Sequence, residues 1–244
     1  MTDQTPALPL FYRRPVPLDR ARHARARLRR PTDLAFAVAT NSAPVMIEEF
    51  ALASREYPIV FAPSPVAMPI ALLGLRDKQN LFMTEQDGAQ VWRNDSYIPA
   101  YIRRFPFIFM EMEKPGEFTV CIDEAASDAD GEAIFGQEEG KLSEAGQQAV
   151  DLCQAYQNQI AVTAEFTAAL KAHDLLAENT ATIKMESGET ITLSGFLSID
   201  PAKVRALPDD VVLAWQRNEW LALIYLHLAS TQNWRRLVAM TARA

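Results

Sequence analysis

The sequence predicts an α+β fold: an antiparallel, strand-rich N-terminal half with short helices, and a helical C-terminal half containing one β-hairpin. Three observations carry this. Residues 55–61 (REYPIVF) and 103–109 (RRFPFIF) repeat one pattern of basic residue, aromatic, proline and apolar β-forming run. Proline cannot continue a helix and biases the residue before it toward extended geometry, so each copy reads as a helix that turns into a buried strand. Short apolar runs bounded by Pro, Gly and polar clusters then fill residues 59–122, the signature of short strands. Finally, residues 143–176 carry apolar positions at helical spacing.

The elements follow in order. Residues 1–33 hold five prolines and are expected to form an extended basic arm, with a short helix near residues 20–28. Phe36 to Ala39 reads as a strand. Pro44 opens a helix over residues 45–55, whose apolar face is Met46, Ile47, Phe50 and Ala53. Pro58 ends it, and residues 59–62, 68–75 and 81–83 follow as an antiparallel meander. Gly88 closes a turn, Tyr97 to Arg104 is a short helix, and the 107–112 strand pairs with 118–122 across a Pro-Gly turn. An acidic, Gly-containing linker spans 123–142. Ser143 then starts the long helix, Ser187-Gly188 marks a tight hairpin between residues 182–185 and 190–193, and Asp200-Pro201 caps a short helix. One helix is expected from Asp209 to about Ala229, continuing or restarting at residues 233–237. The parts are thus a 1–33 arm, a 34–122 antiparallel core, a 123–142 linker and a 143–244 helical region packed on that core, one compact domain overall.

Composition excludes several classes. With 244 residues, 49% hydrophobic and 23% charged, the chain can bury a core without staples. Cys121 and Cys153 have no metal-ligand spacing and read as buried free thiols. No run approaches the ~20 apolar residues that a membrane span requires. No secretory pattern is evident at the start, so a cytoplasmic protein is expected, the alternative being a surface protein exported by a signal-peptide-independent route.

Charge is uneven. Residues 1–40 contain eight arginines against Asp3, Asp19 and Asp33, a balance of +5, while the rest has 16 basic and 28 acidic residues, or −12. Such an arm can grip phosphates. It lacks interleaved aromatics, however, and docking on the protein's own acidic surface is the preferred reading over nucleic acid.

Nothing reads as a catalytic constellation. His23, His173 and His227 are widely separated, and there is no GxSxG, GxxxxGK[ST] or GxGxxG. His227, amid apolar residues, reads as a hydrogen-bonded core histidine. Asp123-Glu124 with Asp128 and Asp130 offers carboxylates to a divalent cation, but an acidic solvated linker is the simpler reading. No catalytic residue, metal or cofactor is therefore expected. Glu48-Glu49 is ambiguous, one facing solvent while the other meets an arginine.

The site candidates are Trp92, Tyr97, Tyr101, Arg103 and Arg104, a polar-rimmed aromatic set suited to sugar or protein contacts. The simpler reading places Tyr101 and Phe105 in the core with one arginine paired internally. Trp215, Trp220 and Trp234 fall in one helical region; Trp215 and Trp220 are five apart, off a common helix face, so one of them can stand at a partner interface, although core packing is the preferred reading.

The order YPIVF (57–61), ALLGL (71–75) with NLF (80–82), YIPAYIRRFPF (97–107) and GFLSID (195–200) before LPD (207–209) resembles the SapC-like family. The opening YRRPVPLDRARH (12–23) is similar to that family's start. The family takes its name from a bacterial S-layer protein, and members accompany outer-membrane receptors and halogenase-like flavoproteins of glycan uptake. The resemblance implies a non-enzymatic accessory or binding protein with a protein partner: a surface or uptake component, or a flavoprotein or oxygenase. The alternatives are an enzyme or oxygenase/halogenase partner acting on a peptide or sugar, and thirdly a structural S-layer component. It carries no catalytic residues across.

Overall fold

In the computed structural model the described residues are 8–28, 33–112, 114, 116–126, 131–136 and 141–244. In chain order they form β1 (Pro15–Pro17), α1 (Arg20–His23), β2 (Arg27–Leu28), β3 (Ser42–Pro44), α2 (Phe50–Ala53), β4 (Ile59–Phe61) and β5 (Pro69–Leu72). Next come β6 (Met83–Gln86), β7 (Ala89–Trp92), α3 (Ala100–Arg103), β8 (Phe107–Glu111), β9 (Phe118–Asp123) and β10 (Glu132–Ala133). The remainder is α4 (Glu144–Ala172), β11 (Leu176–Lys184), β12 (Thr190–Ile199), α5 (Pro201–Arg205), α6 (Asp209–Arg217), α7 (Trp220–Ser230) and α8 (Trp234–Thr241). The class is α+β, as predicted.

The largest sheet has the order β11-β12-β4-β5-β3, all antiparallel. It joins the two halves of the chain, because the β11–β12 hairpin enters through Leu197 opposite Phe61. A second sheet, β1-β9-β8, is also antiparallel, with Val16 opposite Ile122 and Phe107 opposite Ile122 on its other side. The arginine-rich arm thus contributes a strand. It contributes a second one where Leu28 pairs with Glu132 in β10.

α4 is the spine between these layers. Ser143 caps it by accepting from the Gly146 N–H at 3.0 Å. Its N-terminal part packs on β8 and β10, placing Cys153 among Phe107, Ile122 and Ile134. Its C-terminal part sends Phe166 and Leu170 into the main core with Phe50, Phe61 and Ile224. Tyr156, between the two, packs with Met46, Ala100 and Tyr101.

Four local expectations are corrected. Residues 35–37 form a 3₁₀ turn, not a strand: the Ala37 carbonyl accepts from Asn80 Nδ2 at 3.0 Å and the Leu34 N–H donates to Gln90, so these groups are met without a ladder. The 45–55 helix begins late, because Val45 N–H donates to Pro69 and keeps that residue extended after β3; a 3₁₀ turn over Ile47–Glu49 precedes the single turn of α2. The third meander strand leaves the sheet. It pairs as β6 with β7 instead, across Asp87 and Gly88, whose positive φ values of 51° and 79° are those of a tight hairpin turn. The single helix from Asp209 breaks at Glu219, which adopts φ 66° and separates α6 from α7. That break brings the Trp215 and Trp220 rings to 5.7 Å edge to face, although five residues on one helix would keep them apart.

His227 is fully buried, as expected for a core residue, and lies 5.1 Å from the Phe61 ring. The expected hydrogen bond is absent: among the described residues neither ring nitrogen has a partner. Burial pushes its pKa down to about 4. Among the described residues no helix is long and apolar enough to cross a membrane.

Candidate functional site

The segment after β3, the α3 turn and α4 enclose a cleft of ≈ 410 Å³. Glu49, Tyr97 and Arg103 supply its polar side, Met46, Leu52 and Ala100 its apolar side. α4 closes it with Leu152, Ala155, Tyr156 and Gln159.

Glu49 organises the cleft. Its side chain reaches back to the Met46 N–H (2.8 Å), the start of its own turn, as a third-position glutamate does in capping. Its other oxygen accepts from the Ala100 N–H at 2.7 Å and the Tyr97 hydroxyl at 2.9 Å. Ala100 is the first residue of α3, where backbone donors have no helical acceptor. One carboxyl therefore fastens two helix starts together. Burial holds its pKa above the usual carboxylate range, and the three donors pull it partly back.

Tyr97 carries the network outward. It donates to Glu49 and accepts from Arg103 Nη2 at 3.1 Å. Burial and the neighbouring Glu49 push its pKa up to about 12. The exposed Arg103 also donates Nε to the Ile98 carbonyl at 3.0 Å and sits 5.5 Å from the Tyr97 ring centroid. Three side chains thus run from a buried carboxyl to an exposed cation through one hydroxyl.

Arg104 lies behind this face and is only 5% exposed. Its guanidinium is sandwiched between the Tyr101 ring (4.3 Å) and the Tyr156 ring (4.2 Å). Nε has no hydrogen-bond partner among the described residues, and no carboxylate among them lies at ion-pair distance from Arg104. Guanidinium stacks on aromatic faces and is weakly hydrated, which makes this burial tolerable. Tyr101 is buried as well and donates to the Leu10 carbonyl at 3.2 Å, pinning the N-terminal arm.

Of the five sequence candidates, the structure places Tyr97 and Arg103 on the cleft. Tyr101 and Arg104 support it through Tyr156. Trp92 is elsewhere, in the main core, where its indole N–H donates to the Tyr57 hydroxyl at 3.2 Å. Sequence reasoning missed Tyr156, which looked like any apolar position of a long helix. Of the Glu48-Glu49 pair, Glu49 is the buried member and meets Arg103 only through Tyr97.

A second cavity, ≈ 520 Å³, lies under the N-terminal arm between Phe11, Phe36, Phe105 and Asp123. Its carboxylate is already engaged. Asp123 accepts from the N–H groups of Arg13 (2.6 Å), Arg14 (3.0 Å) and Ala125 (3.0 Å). Next to it Glu124 pairs with Arg14 (3.1 Å) and Arg22 (2.5 Å), and these cations hold its pKa below the usual range. The arm's charge is spent on the protein itself at these positions. Asp128 and Asp130, the other half of the cation reading, lie outside the described residues. Among the described residues no three His, Cys, Asp or Glu side chains are grouped to hold a metal.

Both cysteines are buried and free. Burial raises the pKa of each, that of Cys153 to about 11, so they are thiols at neutral pH. The cleft presents a hydrogen-bonded rim, an aromatic floor and two exposed charged side chains, Arg103 and Glu48.

The SapC family model matches residues 18–237 of the 244. No curated protein and no solved structure matches the chain.

Proposed function

The chain belongs to the SapC family, and from that premise we propose that it is a non-enzymatic accessory protein that binds a protein partner through the Glu49–Tyr97–Arg103 cleft. The partner is a component of a bacterial cell-surface or nutrient-uptake system. The observation that supports this reading is the internal satisfaction of the cleft. Both Glu49 oxygens are occupied, Tyr97 is held far from ionisation, and Arg103 is oriented by two acceptors. A general base needs a free lone pair facing its substrate, and three of the about four acceptor sites on Glu49 are already taken. A docking surface needs fixed shape, and aromatic and arginine anchors are its usual hot spots.

One observation favours an enzyme instead. A carboxyl raised by burial at a cleft is a known mark of acid–base sites. That reading requires the remaining acceptor site of Glu49, on the oxygen that takes the Met46 N–H, to face the substrate.

The test is affinity capture from the native cell with wild type and Arg103→Ala in parallel, followed by rebinding with the purified partner. The proposal expects one partner that binds wild type and is lost in the variant. Equal capture by both proteins would remove the cleft from the interaction.

A further inference from the structure

β11 closes one edge of the five-stranded sheet, and its outer side has no strand partner among the described residues. An edge of nine residues with unpaired backbone groups is a template for another strand, which proteins ordinarily shorten, bulge or cover. β11 is long, no strand lies along this edge among the described residues, and the charges it carries are Glu178 and Lys184. The irregularity in the hairpin falls on the inner strand, where Gly195 adopts φ 75° and β12 spends one extra residue between its pairs with Asn179 and Ala181. β11 itself has no extra residue, and its exposure alternates from Thr180 to Lys184.

Its outward face reads Glu178, Thr180, Thr182, Lys184, all exposed. Neither Glu178 nor Lys184 has an ion-pair partner among the described residues. The order is self-complementary. When two copies of β11 run antiparallel about a two-fold axis at Ala181, Glu178 of each copy faces Lys184 of the other. Thr180 of each faces Thr182 of the other, and Ala181 meets its own copy at the centre. Opposite charges and threonine pairs directly across antiparallel strands are favourable. Moving the axis to Thr180 leaves both charges opposite uncharged residues, so one register is selected.

We propose that this protein associates with a second copy of itself through β11, extending the five-stranded sheet of each copy into one continuous antiparallel sheet across a two-fold axis. The interface is isologous. A strand edge buries less surface than a stable dimer requires, which places the association in the weak, concentration-dependent class.

The experiment is sedimentation equilibrium of the full chain over ~5–500 µM, a range matched to micromolar affinity. It compares wild type, Glu178→Lys, Lys184→Glu and the charge-swapped double variant Glu178→Lys/Lys184→Glu. Each single variant sets two like-charge pairs across the axis and should raise the dimer dissociation constant by roughly tenfold or more. The double variant restores opposite charges in the same register and should return the constant to within about threefold of wild type. A wild type that is monomeric throughout overturns the proposal. So does a dimer indifferent to the single substitutions, or one lost in them and not rescued by the swap. Circular dichroism of each variant separates lost association from lost folding.

Discussion

His227 gives a prediction whose size can be worked from the structure. Its imidazole is fully buried beside Phe61, with both ring nitrogens unpartnered among the described residues. Desolvation brings its pKa from 6.5 to about 4. The folded value lies below the unfolded one, so the neutral ring stabilises the fold. That contribution is complete above about pH 6.5 and is lost as pH falls through about 4. At about 1.4 kcal/mol per pH unit, the full loss is about 3.5 kcal/mol, of which about 3 kcal/mol is reached by pH 4. His227→Leu removes the titration while keeping an apolar side chain in the site. Urea unfolding followed by tryptophan fluorescence at pH 7.5 and pH 4 gives both stabilities, and the carboxylates common to both proteins cancel in the difference. Wild type should lose about 3 kcal/mol more than the variant on acidification. At pH 7.5 the variant should be as stable as wild type or more so, because two unpaired buried polar atoms are gone. Parallel acid losses in the two proteins would refute the reasoning.

Three further outcomes are expected. Glu49→Ala strands the Met46 N–H, the Ala100 N–H and the Tyr97 hydroxyl, and should cost about 2–4 kcal/mol in urea unfolding. Asp123→Ala removes the acceptor of three backbone donors and should destabilise by about 2–4 kcal/mol, with faster tryptic cleavage after Arg13. Gly146→Ala tests packing against propensity: alanine favours a helix by about 1 kcal/mol, yet its Cβ would stand 2.2 Å from the Ile134 carbonyl oxygen, so thermal denaturation should show a net loss.

Much of the fold was legible where a local rule and the tertiary demand coincide. Ser143 and Asp200 cap helices as their sequences announce, and Ser187-Gly188 turns the hairpin. Phe36 to Ala39 reads as a strand because apolar residues suit any buried backbone, and the partners that make this segment turn, Asn80 and Gln90, lie over forty residues away. The helix break at Glu219 is carried by one non-glycine residue in a left-handed conformation, which no residue pattern signals. The sheet order was out of reach for the same reason, since Leu197 and Phe61 meet across more than a hundred residues. At the site, the Tyr-Pro and Arg-Arg-Phe-Pro repeat drew attention to Tyr97 and Arg103. Glu49 and Tyr156 stayed hidden because their partners come from distant segments. Trp92 was chosen for its composition, and its indole points into the core.

The most direct test of the cleft as a partner site is site-specific photo-crosslinking in the native cell. A photoreactive residue at Ala155, on the exposed rim beside Tyr156, is compared with one at Leu213 on α6, which is 59% exposed and does not line the cleft. The account predicts a single crosslinked partner from position 155, none from 213, and loss of the product when Arg103→Glu is added. The same product from both positions, or one that persists with Arg103→Glu, would contradict it.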